Sequence, residues 1–332
     1  MRAVQLLGGE RIEVRELPDP EPPEGGVVVR VRASALCGSE LKAYRGAEVA
    51  PGVTNLGHEA VGVVEDASRS RRWRAGDTVG IHAVWGCGGC DPCTRGMATY
   101  CERLTVRTGA HAEYLAAPDH VLLPLPADLT DFAVGALLTG DTLGVPFHAA
   151  RGLRSRAGET VAVVGCGPIG LGTILLQRFF GARVIALDPQ AERRAWAERI
   201  GASLTIDPSA GDPVAAVREH TGGRLAEAAV EASGTAGGVA LALSLAGPGR
   251  PVALCGEAGP VTLDVSRDLL RRDRMVFGSW YYHQAEYPEM LEVFRAGLPL
   301  PRLISHRFPL AEAAAAFAVF SGGTSAKVVL EC

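Results

Sequence analysis

The pattern of apolar and polar positions changes character part-way along the chain. Up to about residue 145 the apolar residues come in short β-branched runs broken by Gly and Pro, as in VVVRVRAS at 27–34 and AVGVVED at 60–66. Runs of this kind predict the strands of an irregular β-rich domain. From Glu159 onward, strand-like runs alternate with helical segments: TVAVVG, PIGLGTILLQRFFG, ARVIALD and PQAERRAWAERIGA. This is the order of βαβ units and predicts a doubly wound parallel sheet. EAAVEAS at 227–233, PVALCGE at 251–257 and MVFGSW at 275–280 carry the alternation on, toward six strands. Past about residue 285 the pattern gives a helix, a strand near LISHRFPL, an Ala-rich helix and a final strand, AKVVLEC.

Length and composition narrow this picture. The 332 residues suffice for two domains, each with its own core, and 47% hydrophobic with 21% charged residues is the profile of a folded globular chain. No apolar run approaches the roughly 18 to 20 residues of a membrane span, and MRAVQLLGGERIEV does not read as a leader, so no membrane partner and a cytoplasmic location are expected. The net charge is −4 and there is no long basic run, which argues against nucleic acid and for a small-molecule partner. Lys42 and Lys327 are the only lysines in an otherwise Arg-based set of cations, and that bias points to codon usage.

Two motifs carry chemistry by their spacing. The run TVAVV leads into Gly165, Gly167 and Gly170, spaced G-x-G-x-x-G with Pro168 and Ile169 between the last two, and then into an apolar helix. In that context the first glycine permits a tight turn, the second lets a pyrophosphate approach the backbone, and the third lets helix pack on strand. Asp188 closes the next strand 18 residues after Gly170, placed to accept the adenosine ribose hydroxyls. That favours NAD; Arg193, expected along the adenine edge, and Arg194 keep NADP as the alternative. The second motif is Cys87, Cys90, Cys93 and Cys101, spaced C-x2-C-x2-C-x7-C. Four thiolates at that density close a tetrahedral zinc site with no position left for substrate, so its role is structural, with an iron–sulfur cluster as the competing reading.

Cys37 in ALCGSELKAYRG and His58 in NLGHEAVGVV are unremarkable separately. Taken in order with the four-cysteine stretch and the glycine fingerprint, they resemble the zinc-dependent medium-chain alcohol and polyol dehydrogenases along essentially the whole chain. The resemblance implies a GroES-like catalytic domain at 1–145 and 285–332, with a structural-zinc lobe at 85–103, and a Rossmann NAD-binding domain at 146–284. It implies two zinc ions per chain, the catalytic one held by Cys37 and His58, with Glu59 beside it as an alternative ligand. Asp141, in ALLTGDTLGVPFHAA, would be the third ligand, with Asp131 as runner-up.

The same resemblance makes Glu40 the acid that orients the zinc-bound imidazole, although Asp is usual there, and Ser39 the hydroxyl of the proton relay. Lys42 stands where many relatives have a relay histidine, so it either passes the proton itself or faces solvent or binds phosphate while the proton leaves through water. Lys327 matches a basic position that in some relatives approaches the cofactor phosphates.

The expected reaction is hydride exchange between a secondary alcohol and NAD, by a homodimer or homotetramer. IHAVWG with Ala83, Tyr44, and the run Trp280, Tyr281, Tyr282, His283 are the expected substrate lining, suited to a polyol, cyclitol or amino-cyclitol, possibly of secondary metabolism. The competing readings are a zinc-free quinone or enoyl reductase and a non-catalytic NAD-binding protein on the same fold. Both are disfavoured by the presence of Cys37, His58 and Glu59.

Overall fold

The computed structural model describes residues 1–46 and 55–332. The chain divides into two compact units, one of Met1–Asp141, His283–Arg295 and Ile304–Cys332, the other of Thr142–Tyr282 and Ala296–Leu303. The division differs from the expected 1–145 and 285–332 by a few residues at the two crossings and by assigning 296–303 to the second unit. The turn Leu300–Leu303 buries both of its leucines and packs on the helix Pro168–Phe179, so it belongs with the parallel sheet.

The first unit is built on the strand Gly26–Ala35. Val29, Val31 and Ala33 are buried while Arg30 and Arg32 between them are exposed, a period-2 alternation in the middle of a strand whose two ends are wholly buried. The sheet runs Ile304–Pro309, Lys327–Glu331, Gly26–Ala35, Glu59–Asp66, Thr78–Ile81, Leu122–Pro124, with Tyr114–Pro118 also paired to Gly26–Ala35. Leu36, Tyr44, Leu56, Phe317 and Leu330 form one core cluster, and Val27, Val29, Val64, Ile81 and Leu115 another.

The second unit is a six-stranded parallel sheet in the order Leu204–Ile206, Arg183–Leu187, Thr160–Val164, Ala228–Glu231, Val252–Leu254, Val276–Gly278. All five residues of Thr160–Val164 are buried, as expected of a strand covered on both faces. The order steps outward one way, returns to the centre and steps out the other way, the doubly wound arrangement with its topological switch beside Thr160–Val164. Among the described residues no helix is long and apolar enough to cross a membrane.

The glycine fingerprint is the tightest joint of this unit. Gly165 has φ +93°, and a Cβ at Gly170 would drive into the Gly165 carbonyl, whereas a Cβ at Gly167 would meet nothing within 4 Å. Gly170→Ala is therefore expected to lower the unfolding free energy by about 1–3 kcal/mol through overpacking. Gly167→Ala should stay within about 0.5 kcal/mol of wild type in the absence of nucleotide, as a substitution into open space. Urea unfolding of the two variants checks both values.

Candidate metal centre and dinucleotide site

Three segments of the first unit converge on one buried point. Cys37 follows the strand Gly26–Ala35, His58 and Glu59 open the strand Glu59–Asp66, and Asp141 opens the helix Asp141–Leu153. One donor atom from each of these four residues lies within 4.8 Å of every other. Asp141 Oδ2 is 3.1 Å from His58 Nε2 and 3.8 Å from Cys37 Sγ. Asp131 is elsewhere: it caps the helix Phe132–Thr139 by accepting from the Ala133 amide at 3.0 Å and pairs with Arg307 at 2.6 Å.

The electrostatics of this cluster are those of a cation site. Burial disfavours a charged His58, but Cys37 and Asp141 outweigh it and raise the imidazole well above its usual pKa. Burial pushes the Glu59 carboxyl up to about 7, helped by Asp141 and opposed by Lys327 and His58. One Glu59 oxygen bonds Lys327 Nζ at 2.5 Å; the other, Oε2, is buried without a hydrogen-bond partner. A thiol, an imidazole and carboxylates with an orphaned oxygen among them fit a zinc ion, which takes all three ligand types.

Lys327, expected near the cofactor phosphates, is 1% exposed and paired with Glu59, on a strand flanked on both sides in the sheet. Ser39 and Lys42 are exposed, Ser39 immediately before the helix Glu40–Arg45 and Lys42 within it. Glu40, expected to orient the zinc-bound imidazole, is buried. Its carboxylate accepts from the Cys37 amide at 2.9 Å and the Gly57 amide at 2.5 Å and meets the His111 ring at 3.3 Å. Burial pushes its pKa upward, but the imidazoles of His111 and His58 outweigh that and bring it to about 2.

The four lobe thiols also lie within 4.8 Å of one another. Main-chain amides of Gly89 and Cys90 draw the Cys87 thiol down to about 5, while burial pushes Cys93 up to about 12. Backbone donors alone do not ionise the whole set, and a bound zinc ion makes four thiolates mutually compatible.

In the second unit Asp188 is 3% exposed, with one oxygen on the Cys166 amide and the other on the Gln190 amide, both at 2.9 Å. Arg193 approaches it to 3.8 Å. Arg194 reaches the carbonyls of Asp188 and Pro189, each at 2.8 Å, and Asp207 at 3.2 Å.

Several expected lining residues are structural. Tyr44 packs at a tilt against Phe317, ring centres 5.3 Å apart, in the core, and Tyr282, 1% exposed, packs on Gly144, where a Cβ would strike its ring. His283 bonds Thr99 at 2.9 Å and meets the Tyr100 ring edge-on, which anchors the cysteine lobe. Tyr281 is 9% exposed against Trp280, whose indole nitrogen reaches Glu257 at 3.3 Å. Ala83 and Trp85 of IHAVWG do border a small cavity beside His58, with Arg107 and Thr108. Those last two carry no motif and were not anticipated.

Residues 23–127 match the family model described as an alcohol dehydrogenase GroES-like domain, and 168–296 match that of a zinc-binding dehydrogenase. The chain is 31% identical to an uncharacterized zinc-type alcohol dehydrogenase-like protein of Escherichia coli (strain K12), covering 99% of this chain and 98% of that one. The chain belongs to the zinc-type alcohol dehydrogenase family. It is also similar to an L-threonine 3-dehydrogenase of Symbiobacterium thermophilum, at 30% identity over 99% of this chain and 97% of that protein. Among solved structures, an alcohol dehydrogenase from Thermus sp. ATN1 matches with TM-score 0.90 and 31% identity, over 100% of this chain and 99% of the other. In this dehydrogenase Asp141 and Lys327 fall outside both matched stretches, so the place of Asp141 in the cluster and of Lys327 against Glu59 rests on geometry.

Replacing one partner of a buried ion pair strands the other charge, at a cost of about 3–5 kcal/mol. Lys327→Met is expected to lose stability on that scale in urea unfolding. The double variant Lys327→Met/Glu59→Gln should recover more than half of the loss, because the two residues act as one unit.

Proposed function

We propose that this family member is a two-zinc, NAD-linked dehydrogenase of secondary alcohols that holds its catalytic zinc with Cys37, His58 and Asp141 and its structural zinc with the four lobe cysteines. The observation that carries the reading is the convergence of one donor atom each from Cys37, His58, Glu59 and Asp141 within 4.8 Å of one another, with Glu59 Oε2 left without a hydrogen-bond partner. When bound, zinc supplies Lewis acidity at a carbinol oxygen and NAD supplies the hydride acceptor.

The chain's own residues have the remaining tasks. Asp188 accepts the ribose hydroxyls, and its charge repels a 2′-phosphate. Arg194, already committed to two main-chain carbonyls and Asp207, is poorly available to offset that repulsion. The exposed Ser39 hydroxyl, two residues from Cys37, relays the substrate proton, which then leaves to water past the exposed Lys42. Glu59, held by Lys327, stands behind the ligands as a reserve carboxylate.

The substrate class is a small alcohol with a polar group next to the carbinol, a polyol or amino-alcohol. The exposed Arg107 and Thr108 at the rim of the small void beside His58 support this, because both can meet a second polar group of a substrate outside it. The similarity to L-threonine 3-dehydrogenases, whose named substrate is itself a secondary alcohol with a neighbouring amine, points the same way.

Metal analysis of the purified protein should give two zinc ions per chain, and a panel of polyols, cyclitols and amino-alcohols should contain at least one that reduces NAD. Cys37→Ser should keep the lobe zinc and lose about 10³-fold in kcat/KM, equivalent to about 4 kcal/mol of transition-state stabilisation. One zinc per chain with no turnover on any alcohol would rule the reading out.

A further inference from the structure

Beneath the metal cluster lies a second buried polar group that no spacing motif announced. His111 is 1% exposed, Ser34 0% and Glu40 6%. His111 Nδ1 is 2.7 Å from Ser34 Oγ, and its Nε2 is 3.3 Å from Glu40 Oε1 and 3.4 Å from Oε2. We propose that Ser34, His111 and Glu40 form a positioning unit for the catalytic zinc. In it, His111, fixed by Ser34, holds the Glu40 carboxylate across the amides of Cys37 and Gly57 and so sets the spacing of the two segments carrying Cys37 and His58. The inference rests on the two-zinc reading above.

The hydrogen-bond roles follow from the chemistry. An ionised carboxylate only accepts, so Nε2 carries a hydrogen toward Glu40, and in the neutral ring Nδ1 is then left to accept from the Ser34 hydroxyl. Glu40 thereby receives three donors: His111, the Cys37 amide at 2.9 Å and the Gly57 amide at 2.5 Å. One of those amides belongs to a ligand residue and the other to the residue before a ligand.

The backbone locks the ring in the same place. The His111 amide donates to the Leu56 carbonyl at 3.0 Å and the Ala110 amide to the Gly57 carbonyl at 3.0 Å, joining this segment to the one that leads into His58. Gly57 has φ +98°, and a Cβ there would collide with the His111 ring, so ring and glycine require each other. Phe317 meets the ring edge-on at 5.8 Å on another side. A buried polar network is costly unless each member is satisfied, and here each member has its partner. An apolar core would need none of it; what these three residues add is a directional link between the two ligand segments. Outer partners of metal ligands of this kind are worth about 10–100-fold in metal affinity.

The test uses the full-length holoprotein and its cobalt-substituted form. His111→Phe keeps an aromatic ring in the core and removes both ring hydrogen bonds. His111→Gln restores one donor for Glu40 and one acceptor for Ser34. His111→Phe is expected to weaken zinc binding at Cys37, His58 and Asp141 by about 10–100-fold in chelator competition, and to shift the cobalt d–d and thiolate charge-transfer bands. The lobe zinc should be unaffected, and kcat should fall more than KM rises. His111→Gln should recover most of the affinity and the spectrum. Should His111→Phe fail to fold, Ser34→Ala removes only the Nδ1 partner and should loosen the same zinc several-fold. Wild-type zinc affinity and an unchanged cobalt spectrum in His111→Phe, or in Ser34→Ala if that is the variant that folds, overturn the proposal and leave the two-zinc reading standing. A wild-type chain that binds only the lobe zinc overturns both.

Discussion

The buried pair of Glu59 and Lys327 is the constraint on which the metal cluster depends, and the register of the sheet creates it. Ala35 pairs with Glu59 on one side and Val329 on the other. Carrying the second register on by two residues sets Lys327 opposite Cys37, in keeping with the Leu36 amide donating to the Val328 carbonyl at 3.0 Å. The strand that delivers Cys37 is thus flanked by a carboxylate and an ammonium that find each other at its end. A lysine 1% exposed and a glutamate 1% exposed are tolerable only together. Once together, they place a positive charge beside a thiol and two carboxylates, which keeps that concentration of negative groups foldable before any metal arrives.

Asp141 joins the same site through a backbone requirement. Gly140 precedes it, and a Cβ at that position would strike Glu59 Oε2 and the Ala136 carbonyl. The missing side chain lets the end of the helix Phe132–Thr139 close onto Glu59, so that the next residue presents its carboxylate to His58 and Cys37. Asp131 performs the opposite task at the other end of that helix, where its carboxylate is taken up by the Ala133 amide and Arg307. Two aspartates ten residues apart are separated in role by what each end of one short helix exposes.

What could be read from residues alone follows how local each feature is. The glycine fingerprint, the four-cysteine lobe and the βαβ alternation are written over short windows, and each appears in the structure where its spacing put it. The third strand of the parallel sheet, Leu204–Ile206, is three residues long and half-buried, too short for a periodic signal. Asp141 was reachable only by resemblance, because nothing in its own neighbourhood distinguishes it from a helix cap. Lys327 and His111 were illegible for a stronger reason: their partners lie 268 and 71 residues away. Burial of a lysine is set by a strand pairing that period-2 alternation does not specify. The aromatic residues erred in the other direction. Tyr44, Tyr282 and His283 combine ring and polar tip, which suits a substrate wall and a core equally, and here Phe317, Gly144 and Thr99 take them into the framework.

The two donor clusters differ in the same respect, and that difference bears on how each can change. The lobe draws all four thiols from residues 87–101, so its geometry is held by one short segment whose own amides favour a thiolate at Cys87. The Cys37 cluster draws on three segments separated by sheet register, a glycine contact and the Ser34, His111 and Glu40 network. A substitution far from the ligands in sequence can therefore reach this metal, through Lys327, Gly140 or Gly57, while leaving the lobe untouched. Such a site is costly to assemble, but it leaves the neighbouring Arg107 and Thr108 free to vary without undoing the donor cluster. A family that acts on many alcohols needs that separation between the residues that hold the metal and those that meet the substrate.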